Sequence, residues 1–182
     1  NESYIRYIIE DEDSVLAHWL RLGADGYRLD VVDELPDAFL ARLRKRLREL
    51  KPDAILIGEV WEDASNKVAY GVRRRYLTGR QLDSVMNYPW QKAILRYVRG
   101  EDGGEQLGER IMTIAENYPS DVLSAVMNIL STHDTPRALT ALVDPTDAGR
   151  AELARRHMDA PTRSRALHLL RMAAFLQFML PG

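Results

Sequence analysis

The run Ala54-Ile55-Leu56-Ile57-Gly58-Glu59-Val60 is apolar without alternation until its sixth residue. A strand with one wet face alternates apolar and polar side chains, whereas a run apolar on both sides must be covered on both, as in a parallel sheet between helices. This run ends on a carboxylate. A second short run, Gly26-Tyr27-Arg28-Leu29-Asp30-Val31, is entered through Gly23 to Gly26 and also reads as a strand. Successive strand side chains point to opposite faces, so Arg28 and Asp30 share one face and Tyr27, Leu29 and Val31 the other. Charge on an otherwise buried strand is costly unless paired. Two accounts of it stand: a structural Arg-Asp pair, or a site of chemistry.

Helical patterns separate these runs. Asp11 to Arg21 carries acidic residues in its first turn and a stripe of Val15, Leu16, Trp19 and Leu20, closed by Gly23. Pro36 opens a second helix with Phe39, Leu40, Leu43, Leu47 and Leu50 at helical spacing, stopped by Lys51-Pro52-Asp53. Its Arg42, Arg44, Lys45, Arg46 and Arg48 are expected on a solvated face, since no aromatic residues interleave them as in a nucleic-acid surface. Ser65 to Arg80 reads as irregular with helical character, and Asp83 to Tyr88 as a third strand stopped by Pro89. Helices are expected from Trp90 to about Arg99 and from Glu105 to Glu116, with a turn over Glu101 to Gly104 between them. Ala125 to Ser131 is the fourth strand candidate, running into Thr132-His133-Asp134, and Asp144 to Gly149 reads as a loop. Leu167 to Leu180 is the most apolar segment; interrupted by Arg171 and Gln177 and short of a spanning length, it is expected to be a buried helix.

The 182 residues suit one sizeable core. A net charge of -2, from 25 basic and 27 acidic residues, gives no field for nucleic acid or an anionic membrane. The absence of cysteine excludes disulfides and thiolate metal sites. The start, Asn-Glu-Ser-Tyr, has neither the basic nor the apolar region of a secretion signal, but a chain without an initial Met can be cut from a longer one.

Alternating strand and helix imply an α/β fold with a parallel sheet and right-handed crossovers. Three strand candidates deliver polar groups at their C-terminal ends, Arg28 with Asp30, then Glu59, then His133 with Asp134, and this is the edge where such folds build sites. Gly26-Tyr27-Arg28-Leu29-Asp30, Gly58-Glu59-Val60-Trp61 and Asn128 through Arg137 resemble three blocks of the alpha-amylase family of glycoside hydrolases, in the same order. The last block, with Leu82 to Pro89, is most similar to the neopullulanase, cyclomaltodextrinase and maltogenic amylase branch. Val32-Asp33-Glu34 departs from the pattern, because relatives often have Asn before that Glu.

The resemblance implies a (β/α)₈ TIM barrel in which the four strands are barrel strands four to seven. Residues 1-182 are then expected to be a partial catalytic domain without the first three strands and the eighth, because such a barrel takes roughly 250 residues. A piece of that kind is expected to be inactive alone and to pair with a second copy through exposed sheet edges, or to fold its terminal helices over them. By the same resemblance Asp30 is the nucleophile, Glu59 the general acid and Asp134 a third carboxylate on sugar hydroxyls, with Arg28 beside Asp30 and His133 a hydroxyl donor; Trp61, a lone Trp after a strand, is a stacking platform or else a core or rim residue. Retention needs two carboxylates about 5 Å apart, and adjacent parallel strands lie about 4.8 Å apart.

The implied activity is hydrolysis of α-1,4 bonds, with α-1,6 bonds and cyclodextrins as extensions, by double displacement. Transglycosylation, a non-catalytic carbohydrate-binding relative and a metal-dependent hydrolase are the alternatives. The implied partner is an α-glucan, with no nucleic acid and no membrane, and branch resemblance favours the cytoplasm. No cofactor or metal is implied: a cluster of Asp30, Asp33 and Glu34 is set aside because the family pattern explains those positions, and no site for a parent enzyme's calcium is identifiable. His18, His157 and His168 lie on helical stretches without partners at ligand spacing and are assigned to surface or packing.

Overall fold

A computed structural model describes residues 1–144 and 148–182, so the middle of the expected Asp144 to Gly149 loop lies outside the described residues. The chain divides into two compact units, residues 1–87 with 115–127 and 182, and residues 88–114 with 128–181.

In the first unit, α1 (Glu2–Ile5) continues into a wider turn over Arg6–Glu10, followed by α2 (Val15–Arg21), β1 (Gly26–Leu29), α3 (Asp37–Leu50) and β2 (Ile55–Gly58). The Ser14 hydroxyl caps α2 by accepting from the Ala17 N–H at 3.3 Å. The expected α2 stripe is only partly in the core: Leu16 is buried, but Trp19 is exposed and meets His18 edge to face. In α3, Leu40, Leu43 and Leu47 are buried and Leu50 is exposed at the helix end. Arg44 corrects the expected basic face: it is buried, and its guanidinium pairs with Asp83, whose other oxygen accepts the Leu56 N–H at 2.8 Å. A carboxylate arriving from another element turns a surface position into a buried, compensated one.

β1 and β2 pair in parallel with Gly26 opposite Ile55 and Leu29 opposite Gly58. β2 then pairs in parallel with β5 (Ser84–Val85). Gly26 is required at the start of this ladder, since a Cβ there would lie 2.1 Å from the Ile55 carbonyl oxygen. The fourth expected strand is reduced to one parallel bridge between Met86 and Met127, because α6 (Ser120–Ser124) runs up to it on one side. On the other side the Asn128 and Leu130 carbonyls accept from the Gln177 and Gln91 side-chain amides, at 2.9 and 3.1 Å. Carbonyls turned to those side chains are taken by their amides where a ladder would have used them.

The segment expected to be helical over Ser65 to Arg80 is instead built on a β-hairpin, β3 (Val68–Ala69) against β4 (Val72–Arg73). Its two turn residues, Tyr70 and Gly71, both have positive φ, 54° and 74°, as a two-residue turn with the twist of a hairpin requires.

The second unit holds α4 (Tyr88–Arg99), most of α5 (Gly104–Asn117), α7 (Ala138–Ala141), α8 (Arg150–Leu153) and α9 (Ala160–Met179). Pro89 lies in the first turn of α4, where its missing N–H is harmless. Ile94, Leu95, Val98, Leu142 and Ala173 form its core, with Leu169, Leu170, Leu176 and Leu180 packed against them. The buried helix expected over Leu167 to Leu180 is therefore only half realised: Phe175, Phe178 and Met179 are exposed. Its apolar residues run around the whole helix, and one neighbouring layer can cover only one side. Among the described residues no helix is long and apolar enough to cross a membrane.

Candidate active site

The end of β1 and the end of β2 meet around one guanidinium. Arg28 Nη1 lies 2.5 Å from Asp30 Oδ1, and its Nη2 lies 2.9 Å from Glu59 Oε2. The pairing in which Leu29 lies opposite Gly58 brings this about, since Asp30 and Glu59 are the next residues on neighbouring strands. Backbone bonds continue past the strands, from the Glu59 N–H to the Leu29 carbonyl at 3.0 Å. The Arg28 Nε–H points at Met86 Sδ, 3.3 Å away on the strand beyond.

The two carboxylates sit in different surroundings. The Glu59 side chain is 1% exposed and that of Asp30 is 67% exposed. The buried charge pair expected on β1 is thus an Arg28–Glu59 pair between strands, with Asp30 at its open end. Glu59 also accepts the Val31 N–H on Oε2 at 2.8 Å and the Trp61 indole N–H on Oε1 at 3.2 Å. Donors on both oxygens fix the orientation of the carboxyl group.

Val31 has φ 40°, a left-handed conformation that a β-branched residue rarely adopts. The turn aims its N–H at Glu59, a role no sequence signal announces. A one-turn helix, Val32–Glu34, follows and is pinned by the hairpin. The Tyr76 hydroxyl donates to Asp33 Oδ1 at 2.6 Å, Lys67 Nζ lies 3.0 Å from Asp33 Oδ2, Tyr70 donates to Glu34, and Arg74 donates to the Leu35 carbonyl. Burial, reinforced by the Asp33 carboxylate, pushes the Tyr76 phenol well above its ordinary range. Burial pulls the Lys67 ammonium down, but bonds to Glu62 and Asp33 outweigh it and hold it above its usual value. Among the described residues no group of three His, Cys, Asp or Glu side chains is placed to hold a metal ion.

Trp61 is 36% exposed and its indole N–H is committed to Glu59, so it acts first on that carboxylate. His133 and Asp134 belong to the second unit, in an irregular segment where a strand end was expected. His133 Nε2 lies 2.9 Å from Asp134 Oδ2, and the Asp134 N–H donates to Thr132 Oγ1 at 3.2 Å. The structure therefore joins Arg28, Asp30, Glu59 and Trp61 in the first unit, and His133 with Asp134 in the second.

The family model of the alpha amylase catalytic domain matches residues 2–161. A cyclomaltodextrinase of Geobacillus thermopakistaniensis is 38% identical over 137 residues, which is 74% of this chain and 21% of that protein. Neopullulanase 2 of Thermoactinomyces vulgaris is 36% identical over 128 residues, 70% of this chain and 20% of that protein. Among solved structures, the type III pullulan hydrolase from Thermococcus kodakarensis aligns with a TM-score of 0.72 and 31% identity over 91% of this chain and 26% of that one. The chain spans about a fifth of the length of these curated relatives. With the parallel β/α units, the paired strand-end carboxylates and the match to most of its length, the chain belongs to the alpha-amylase family and carries a segment of that family's (β/α)₈ catalytic barrel.

Proposed function

We propose that the protein is a retaining α-glucan hydrolase in which Asp30 is the nucleophile and Glu59 the general acid and base. What carries this reading is the single guanidinium of Arg28 contacting both carboxylates, one buried and one open to solvent. An open carboxylate can reach an anomeric carbon, while a carboxyl group held by donors on a neighbouring strand can face the bridging oxygen.

In the first step an Asp30 oxygen bonds to the anomeric carbon as the glycosidic C–O bond breaks, and the departing oxygen takes a proton from Glu59. In the second, Glu59 takes a proton from water, the hydroxide oxygen bonds to the same carbon, and the ester to Asp30 breaks. Configuration is retained after two inversions. The Val31 and Trp61 N–H groups keep the Glu59 carboxyl aimed through both steps. Asp134, with His133, is assigned to sugar hydroxyls.

Cyclomaltodextrin and pullulan, which the names of the relatives carry, are the first substrates to try, with soluble starch. In the full-length protein Asp30→Asn and Glu59→Gln are each expected to lower turnover by roughly 10³-fold or more, with folding intact. Near-normal turnover of either purified variant removes that residue from the mechanism.

A further inference from the structure

Beside the hairpin, on the side of Asn117 and Pro119, lies a cavity of about 740 Å³ lined by Arg73, Arg74, Arg75 and Arg80. Among the described residues no carboxylate lines it. Arg74 donates to the Leu35 carbonyl and is ion-paired with Asp37, 3.4 Å from its Nε. Arg73, Arg75 and Arg80 differ, since among the described residues none of them pairs with a carboxylate. Arg73 lies on β4 and Arg75 two residues on, and both line this cavity. A second cavity of about 470 Å³ shares Arg73, Arg75 and Arg80 and adds Gln81, with Asp37 on its wall.

Three uncompensated guanidiniums around one hollow repel one another, and a chain of net charge -2 supplies no general reason for such a cluster. Guanidinium forks match phosphate oxygens two bonds at a time. A bare phosphate would leave most of the space empty, since sites of roughly 300–1,000 Å³ enclose whole small molecules. Gln81 supplies the second requirement. The residue is 6% exposed, and its buried Oε1 has no hydrogen-bond partner among the described residues. A buried acceptor left unmade is unfavourable, and a hydroxyl group is the donor that would fill it.

We infer that the joined cavities bind a saccharide phosphate monoester, with Arg73, Arg75 and Arg80 on the phosphate and Gln81 on a sugar hydroxyl. The phosphate preference stands on the cavity alone, and the choice of a phosphorylated α-glucan as its source rests on the function proposed above. Calorimetric titration of the full-length protein with glucose 6-phosphate, inorganic phosphate and glucose tests it at low and at physiological salt. Glucose 6-phosphate should bind more tightly than inorganic phosphate, glucose should show no binding, and added salt should weaken both anions. Arg73→Gln, Arg75→Gln and Arg80→Gln should each weaken glucose 6-phosphate about tenfold, the value of one charged hydrogen bond. Gln81→Ala should weaken glucose 6-phosphate and leave inorganic phosphate unchanged. Absence of glucose 6-phosphate binding, or binding undiminished in the triple arginine variant, overturns the site. Equal binding of the two phosphates, insensitive to Gln81→Ala, overturns its saccharide half. Hydrolysis of unphosphorylated cyclomaltodextrin by the triple variant should match the parent. A parent that binds glucose 6-phosphate but hydrolyses no glucan would sink the proposed function and leave this site standing.

Discussion

Replacing Arg28 by Ala tests whether one guanidinium compensates the two strand-end carboxylates. The Asp30 contact contributes little, because an exposed carboxylate is already solvated and such pairs are worth about 0–1 kcal/mol. The Glu59 contact is different: its side chain is 1% exposed, and removing one partner of a buried pair costs about 3–5 kcal/mol. Two N–H donors, from Val31 and Trp61, stay on Glu59 in the variant, which places the expected loss near the lower bound, about 3 kcal/mol. That is a large part of the 5–15 kcal/mol that typically holds a domain together. Urea unfolding should show a lower midpoint at unchanged slope. The decisive measurement is the cycle with Glu59→Gln. If the loss arises from a stranded charge, Arg28→Ala in the Glu59→Gln background should cost only about 1 kcal/mol, the ordinary value of a hydrogen bond, leaving a coupling of about 2 kcal/mol. Additive losses, or a single-variant loss below about 1 kcal/mol, would refute the reasoning.

Gly26→Ala should destabilise by about 1–3 kcal/mol in the same assay, because its Cβ would lie 2.1 Å from the backbone oxygen of Ile55 and a backbone cannot swing aside. Tyr76→Phe should cost about 1.5–3 kcal/mol, the value of a hydrogen bond to a charged group, and thermal melts that coincide with the parent's would contradict it. Asp102 is held below the usual carboxylate range, chiefly by the Arg96 hydrogen bond and then by Arg110 against the opposing effect of burial. A depressed folded value means its stabilisation is complete above the unfolded value, about pH 3.9, and is lost as pH falls through the folded one. The difference in urea midpoint between the parent and Asp102→Asn should therefore be steady from pH 7 to 5 and shrink below pH 4.

The parallel core was legible because its signals are local and strong: the uninterrupted run at Ala54 to Val60 forms a parallel strand and the leucines of α3 a helix, although Ile55 is exposed where cover on both faces was expected and Leu50 is exposed at the helix end. The positions of Asp30 and Glu59 at strand ends were legible for a related reason, since each directly follows a strand whose start or run is marked locally, by Gly26 in one case and by the apolar run in the other. Tyr70 and Gly71 were not, because a hairpin turn is usually announced by Asn-Gly, and Tyr in a left-handed conformation runs against its own preference. The shortened fourth strand was hidden for another reason. Gln91 and Gln177 lie far along the chain from the carbonyls they take up, so no window around Ala125 to Ser131 contains the competitor. Arg44 leaves the expected solvated face for the same reason, its partner Asp83 lying 39 residues away.

Asp33, too, is held by partners distant in the chain. An Asn there would still accept the Tyr76 hydroxyl, but it would leave the Lys67 ammonium, whose side chain is only 18% exposed, with the Glu62 carboxylate as its one charged partner among the described residues. Asp33 and Lys67 form a charge pair across 34 residues of chain, which the sequence around Asp33 does not reveal. The same contacts bear on Val31. A β-branched residue in the left-handed region costs on the order of 1–3 kcal/mol and persists only where its surroundings over-determine it. The turn after it is held by Tyr76 and Lys67 on Asp33, Tyr70 on Glu34 and Arg74 on Leu35, while its own N–H is held by Glu59. The hairpin therefore sustains the strain that aims Val31 at the Glu59 carboxylate. Asp33 thus acts on how firmly that turn is held, while Arg28, Asp30 and Glu59 contact one another directly.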